Sequence, residues 1–387
     1  MSNIAILAPS PIEGSGGVAR IYKLCETLSD NGHNCHLYVF DANAEEASSL
    51  IDKAMLYYSV KHLTVFSGIQ LKGHYDLIIA TRWDTAKIVR DMPSLYKAYL
   101  VQDYEACFNP VGDGTIFAEN SYLYGLQAIT YGRWLAHKLS SEYGNDPYFC
   151  DFSSDLATFR VTQPIRDRLR TPRKVCFIFQ HNKPRRCPQL GIEALGIVKA
   201  RRPEIQLFFV GSNQAPSLWY DYENLGMMTT SELNDIYNEC HVGLCLSSSN
   251  PSCNPFDMMA AGLPCVDLYK ENNLLDIPDG GVLLAHQTPE SIADAIIQLI
   301  SSDRQLLAMS DFGINFMRGK SSANEHIILL DIVNKILKGD RNEFHRNVVT
   351  GRQYGRDPVI YTEFNNKKSY LKHASCQGSI LKKIIDF

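Results

Sequence analysis

Short apolar runs of the strand type recur along this chain. Each is followed by a stretch whose apolar residues repeat at helical spacing, and after one polar lapse the alternation restarts. Ile4-Ala5-Ile6-Leu7 is a run of the kind buried in a parallel sheet. Pro9, Pro11 and the Gly14–Gly17 stretch break it, and Val18, Ile21, Leu24, Cys25 and Leu28 then fall on one helical face that Asn31-Gly32 closes. A second strand is expected at His36–Phe40, with others at Leu77–Ala80 and Tyr99–Val101. Helical patterns cover Asp84–Arg90, Phe117–Ile129 and Leu135–Tyr143. Around Thr158–Thr171 the pattern lapses into polar, proline-containing sequence that reads as a linker. It resumes with strands at Val175–Phe179, Ile205–Val210, Val242–Leu246 and Pro264–Leu268, and helices at Gln189–Lys199, Glu232–Cys240, Asn254–Ala261 and Pro289–Ser301. Strands alternating with helices give a parallel sheet covered on both faces, so the pattern predicts two such domains in tandem.

Length and composition agree with that reading. The 387 residues suit two compact domains, and 45% hydrophobic with 21% charged residues is globular usage. A formal charge of −4 is too small to argue for a nucleic-acid partner. The distribution is uneven: residues 341–387 hold nine Lys/Arg against four Asp/Glu, or +5, leaving −9 for the rest. Eleven cysteines include no Cys-x-x-Cys pair, so neither a zinc ribbon nor a thioredoxin-type site has support, and reduced, mostly buried thiols are expected. Met1-Ser2-Asn3 leads straight into an apolar strand, which reads as a chain without a signal peptide. No apolar run approaches the roughly 20 residues of a membrane span. The expectation is a cytoplasmic protein, peripheral to a membrane at most.

Gly14-Ser15-Gly16-Gly17-Val18-Ala19 formally satisfies the dinucleotide fingerprint, with Asp41 ending the next strand. Six residues, two of them prolines, separate Leu7 from Gly14, whereas the fingerprint sets its glycines directly at a strand end. The alternatives are a loop whose backbone N–H groups approach an anion or sugar at Gly16 and Gly17, and a purely structural turn. In the second half, strand Val175–Phe179 runs into Gln180-His181-Asn182-Lys183-Pro184-Arg185-Arg186. Its three cations either neutralise a diphosphate or form a solvated basic loop. Gly211 and Ser212 end the next strand and are counted with the same donor site. Ser247 to Asp257 joins a strand to a helix start, where free N–H groups and the macrodipole favour an anion. Ser249, Ser252 and Asn254 belong to that stretch, and Asp257 either accepts from a ribose diol or complements the helix dipole. Asp103-Tyr104-Glu105 puts two carboxylates at the end of a strand, able to bind a metal, orient a sugar hydroxyl or take a proton. Asp221-Tyr222-Glu223 repeats that spacing. With no His-x-x-x-His or His-Glu pair, no metal site is expected, and Gly-x-Ser-x-Gly and P-loop motifs are also missing.

At these residues the sequence resembles the GT-B glycosyltransferases of the large family-4 retaining group, and within it bacterial rhamnosyltransferases of S-layer and surface-polysaccharide assembly. Val101-Gln102-Asp103-Tyr104-Glu105, Ala118-Glu119-Asn120-Ser121-Tyr122 and Thr130-Tyr131-Gly132-Arg133-Trp134-Leu135 are similar to that subgroup's blocks. So is Pro251-Ser252 through Pro255-Phe256-Asp257-Met258. The resemblance implies α/β architecture with two Rossmann-like β/α domains facing across a cleft. An acceptor domain would cover 1–160 and a nucleotide-sugar donor domain 161–320. A helix at 321–340 would pack back on the first domain, and 341–387 would be a basic extension. It further implies transfer of a sugar, rhamnose from dTDP-rhamnose being the expected donor, to a hydroxyl of a glycan or lipid-linked glycan, without metal and with retention. Asp103 and Glu105 would be catalytic, and Tyr104, Glu119 and Tyr122 would meet the acceptor. Where the wider family has a Glu-x₇-Glu pair, this chain has Ser249 and Asp257. Gln180 stands where a basic residue is usual, which leaves Lys183 and Arg185 to carry the phosphate charge. A sugar-nucleotide epimerase, an NAD(P)-dependent oxidoreductase and a non-catalytic sugar-nucleotide binder stay open as alternatives. Lys382-Lys383-Ile384-Ile385 in the basic end suggests peripheral attachment to an anionic membrane, with an ordinary tail as the alternative.

Overall fold

The computed structural model describes residues 1–42, 47–340, 342 and 351–361. The chain divides into two units. Unit 1 comprises 1–156, 249–253 and 318–352, and unit 2 comprises 157–248, 254–317 and 353–387.

Unit 1 is built on a seven-stranded parallel sheet in the order β3-β2-β1-β4-β5-β6-β7. Its strands are β1 (Asn3–Ala8), β2 (Asn34–Val39), β3 (Thr64–Ser67), β4 (Leu77–Ala80), β5 (Tyr96–Val101), β6 (Gln127–Tyr131) and β7 (Tyr148–Cys150). The helices of this part are α1 (Gly16–Asp30), α2 (Ala47–Tyr58), α3 (Trp83–Asp91), α4 (Asp113–Ser121) and α5 (Arg133–Tyr143). The all-apolar runs of β1 and β4 are buried throughout, as a sheet covered on both faces requires. The expected helix over Phe117–Ile129 is corrected. α4 stops at Ser121, Gly125 turns the chain at φ +74°, and residues 127–130 pair in register with β5. Burial of Ala128 and Ile129 at the sheet centre overrides a helical period that the same residues also satisfy.

Unit 2 has a six-stranded parallel sheet, β10-β9-β8-β11-β12-β13. It runs α6 (Ile165–Arg168), β8 (Lys174–Ile178), α7 (Pro188–Arg201), β9 (Gln206–Val210), β10 (Glu223–Gly226), α8 (Thr230–Glu239) and β11 (Val242–Leu244). Then come α9 (Asn254–Ala260), β12 (Cys265–Leu268), α10 (Glu271–Leu274), β13 (Val282–Ala285), α11 (Pro289–Ile300) and α12 (Asp303–Met317). The polar stretch expected to be a linker is instead fastened to α8. Asn234 Oδ1 accepts from Arg160 N, and Asn238 Oδ1 accepts from Thr162 N at 2.7 Å and Gln163 N at 3.0 Å. The amides of α8 satisfy the backbone that no sheet or helix takes up. Arg168 is buried close by, its guanidinium donating to the carbonyls of Tyr237 and Cys240 at the end of α8.

The last described helix, α13 (Ser322–Lys338), belongs to unit 1. Leu329, Ile332, Val333 and Ile336 enter that unit's core, and Glu325, buried, pairs with Arg20 of α1 at 3.1 Å. Ten cysteines lie among the described residues, seven of them buried. Lys382 to Ile385 lie outside the described residues.

Candidate functional site

In unit 2 the chain adds β9 and β10 on one side of β8, then β11, β12 and β13 on the other, so its course reverses between β8 and β11. Ligands of such sheets bind beyond the carboxyl ends of the strands at that reversal. The loop after β8 carries Lys183, Arg185 and Arg186, with a 3₁₀ turn at Pro184–Arg186 and a closing bond from Lys183 N to Gln180 O at 3.0 Å. Burial, and then the neighbouring Arg185 and Arg186, lower the pKa of the half-buried Lys183 ammonium. Mutual repulsion of this kind marks a place that gains from an anion.

Three other strand ends meet this loop. After β9, Gly211 turns at φ +102° and a Cβ there would stand 3.3 Å from Phe179 O. Ser212 Oγ lies 2.7 Å from His181 Nδ1 and accepts from Gln214 N at 3.1 Å. After β11, Ser248 donates from N and Oγ to Arg185 O at 2.9 and 3.1 Å, and Arg186 donates to Ser247 Oγ. Beyond β12, Lys270 Nζ donates to Ser248 O at 2.6 Å and Asn272 Nδ2 to Ser247 O at 3.1 Å. Asn254 opens α9, with Asp257 buried in its first turn.

Lys183, Arg185, Gly211 and Ser212, each read from the sequence, are thus drawn together. The sequence reading missed His181, Asp267, Lys270 and Asn272. A carboxylate inside the apolar run Cys265-Val266-Asp267-Leu268 was the available signal, because such a group is rare in a buried strand.

In unit 1 the carboxyl end of β5 carries Gln102 to Glu105. Asp103 is buried. Its Oδ1 accepts from Tyr104 N and Asn250 N, both at 2.8 Å, and its Oδ2 from Ser249 Oγ at 3.1 Å. Asn250 Nδ2 in turn donates to Gln102 O at 2.9 Å and Tyr131 O at 3.0 Å. Segment 249–253 is held in unit 1 by these bonds, with Ser252 half-buried within it. Glu105, also buried, accepts from Trp83 N at the start of α3 at 2.7 Å. Burial pushes its carboxyl up to about 8, against the Trp83 N–H and nearby Arg82, which favour the anion.

Tyr104, Glu119 and Tyr122 also come together. Tyr104 OH donates to Glu119 Oε1 at 3.1 Å and lies 2.5 Å from Tyr143 OH. Its ring stacks on Tyr122 with 5.6 Å between centroids, and Lys138 Nζ sits 4.5 Å from its ring centre.

The glycine stretch forms the β1–α1 loop. Ser15 caps α1, accepting from Val18 N at 3.4 Å, and Gly16 has open space where a Cβ would lie. A Cβ on Gly17 would stand 2.8 Å from Gln102 Oε1, and the amide of that glutamine donates to Gly17 O at 3.0 Å. Asp41, which a dinucleotide site would place on a ribose, accepts from Ser10 N and Oγ, both at 2.8 Å. Among the described residues no group of three or more His, Cys, Asp or Glu could hold a metal ion, and no helix is long and apolar enough to cross a membrane.

Two parallel-sheet units of this kind are the Rossmann-like domains of the GT-B fold, and solved structures agree. The chain superposes on sucrose-phosphate synthase from Thermosynechococcus elongatus with a TM-score of 0.66 and 14% identity, over 88% of this chain and all of that one. It superposes equally well, at TM-score 0.66 and 14% identity, on HepE of Anabaena in complex with UDP-glucose, over 87% of this chain and 100% of that one. Residues 173–297 match the family described as WsaF, C-terminal domain. Over 234 residues the chain is 28% identical to the O-antigen biosynthesis protein RfbC of Myxococcus xanthus, taking in 59% of this chain and 18% of that protein. The chain therefore spans less than a fifth of that relative's length.

Proposed function

We propose that this chain is a glycosyltransferase of surface-polysaccharide synthesis, in which unit 2 holds a nucleoside-diphosphate sugar and unit 1 carries the acceptor residues. The observation that carries the reading is the convergence of Lys183, Arg185 and Arg186 with the ends of β9, β11 and β12 at the sheet's reversal point. Glycosyl transfer needs the departing diphosphate stabilised as its charge develops. Fixed N–H groups and Lys or Arg do this without further reorganisation. These cations take the role that a metal has elsewhere, so chelation with EDTA leaves turnover unchanged. The WsaF-type match over the donor unit and the RfbC relative support polysaccharide as the product class.

The donor we favour is dTDP-rhamnose, with retention, on the resemblance of the β5 to β6 blocks. Retention by front-face attack requires no protein nucleophile. Asp103 then keeps the Ser249–Asn250 turn in place, and Gly16 and Gly17 offer close backbone approach. Tyr104, Glu119 and Tyr122 orient the acceptor, whose lipid-linked form is supported by the exposed apolar side chains Phe108, Val111, Ile116 and Phe117 of unit 1.

Incubation with dTDP-rhamnose, UDP-glucose, UDP-N-acetylglucosamine and GDP-mannose, with glycan acceptors, tests the reading. One donor is expected to release its nucleoside diphosphate only with acceptor present. Arg185→Gln is expected to lower kcat/KM by about 10²-fold, as loss of a charge-assisted phosphate contact in the transition state does. Interconversion of sugar nucleotides without acceptor would instead favour an epimerase, and donor binding with no reaction a binding protein.

A further inference from the structure

Asp267 lies near the carboxyl end of β12, between β11 and the edge strand β13 of unit 2's sheet, with no exposed surface. A carboxylate there costs several kcal/mol of desolvation unless something uses it. Its Oδ1 accepts from Ser247 N at 2.8 Å and Leu268 N at 2.7 Å, while Oδ2 has no hydrogen-bond partner among the described residues. Around Ser247 every other polar atom of the turn is also spoken for. Its Oγ accepts from Arg186, and its carbonyl accepts from Asn272. Asp267 therefore anchors, through Ser247 N, a turn that the cationic loop after β8 also binds. Arg186 and Cys187 face Asp267 from that loop, Cys265 from its own strand, and Asn273 from α10.

We propose that Asp267 is a positioning residue of the diphosphate platform: its Oδ1 sets the Ser247–Ser248 turn, on which Ser247 Oγ accepts from Arg186 and Ser248 donates to Arg185 O, so that the loop cations stand ready for the donor. This inference rests on the donor reading given above. It has a further consequence. Burial raises the Asp267 carboxyl to about 7, outweighing the Leu268 and Ser247 N–H groups and Arg186, which favour the anion. A diphosphate arriving above an ionised Asp267 is repelled, whereas one arriving above the acid is not, so donor binding draws a proton onto this residue.

The test measures affinity for dTDP-rhamnose and UDP-glucose by calorimetry from pH 6 to 8.5, a range in which a sugar-esterified diphosphate does not itself titrate. The intact chain should bind more weakly as pH rises through about 7, approaching a tenfold loss per pH unit at the limit of one linked proton. Asp267→Asn keeps the Oδ1 acceptor and removes the charge, so its profile should lose that dependence. Asp267→Ala removes the anchor as well as the charge and should bind about tenfold more weakly than Asp267→Asn at every pH. An Asp267→Asn profile that tracks the intact chain overturns the proposal even if Asp267→Ala fails to fold, and so does a folded Asp267→Ala that binds as tightly as Asp267→Asn. If the intact chain binds neither nucleotide sugar, this inference falls together with the donor reading. A pH-independent affinity in an active enzyme sinks this inference alone.

Discussion

The residues with most leverage are buried polar ones, and what each does depends on which of its atoms are satisfied. Asp103 has both oxygens engaged and ties a five-residue segment to the carboxyl ends of β5 and β6. Glu105, two residues on, has one backbone donor and no exposed surface to speak of, and its pKa rises to about 8. Between the ordinary value of 4.5 and about 8 the folded protein holds a proton that the unfolded chain has released. That contribution to stability is complete below the lower value and is lost as pH rises through the window, at up to about 1.4 kcal/mol per pH unit. Glu105→Gln retains an acceptor for Trp83 N and cannot ionise. Its urea midpoint should fall less steeply than the parent's from pH 5 to pH 8, with the two curves diverging upward in favour of the variant. Parallel curves would show that Glu105 ionises as freely folded as unfolded. Asp267 acts in the same direction in both proteins, and His241, lowered to about 4 by burial, acts oppositely, so the difference between the curves isolates Glu105.

At the scale of elements, the β/α pairs hold together by close approach of helix to strand. Gly191 on α7 shows how close. A Cβ at that position would stand 2.2 Å from Phe177 Cζ, with Phe177 fully buried on β8. Alanine gains roughly 1 kcal/mol over glycine in helix propensity, while overpacking a tight core costs about 1–3 kcal/mol. Gly191→Ala is therefore expected to be neutral at best and destabilising by up to about 2 kcal/mol, lowering Tm by several degrees in a calorimetric scan. A raised Tm would mean that the ring moves aside freely. The same packing explains which elements could be read from the chain. β1, β4, β8 and β9 are apolar runs because they are buried on both faces, and α1 and α11 show a clear apolar stripe. β3, Thr-Val-Phe-Ser, and β10, Glu-Asn-Leu-Gly, lie at the sheet edges with little burial, so their residues carry almost no periodic signal. β6 was masked because its apolar residues continue the spacing of α4. In the site, the cations after β8 were legible from charge alone. Asp267 and Lys270 were not, because their role comes from β12 lying next to β11, a fact of sheet order rather than of local sequence.

For the whole molecule, the proposed donor site arises from the company of strand ends on a sheet of ordinary α/β build. Net charge does not make it so, since the chain totals −4. The positive field is local, set by Lys183, Arg185 and Arg186 within four residues, and a local field of that kind is screened by salt only where it is solvent-exposed. The GT-B superpositions establish the frame, and the residues at the reversal point give it chemistry. The most direct measurement is a crystal structure of this chain grown with dTDP-rhamnose or UDP-glucose. Density for the two phosphates is expected over the loop after β8, within hydrogen-bond reach of Lys183 or Arg185 and of backbone N–H groups after β9 or at the start of α9. A nucleotide bound anywhere else, or a diphosphate that meets none of those groups, would contradict the donor reading.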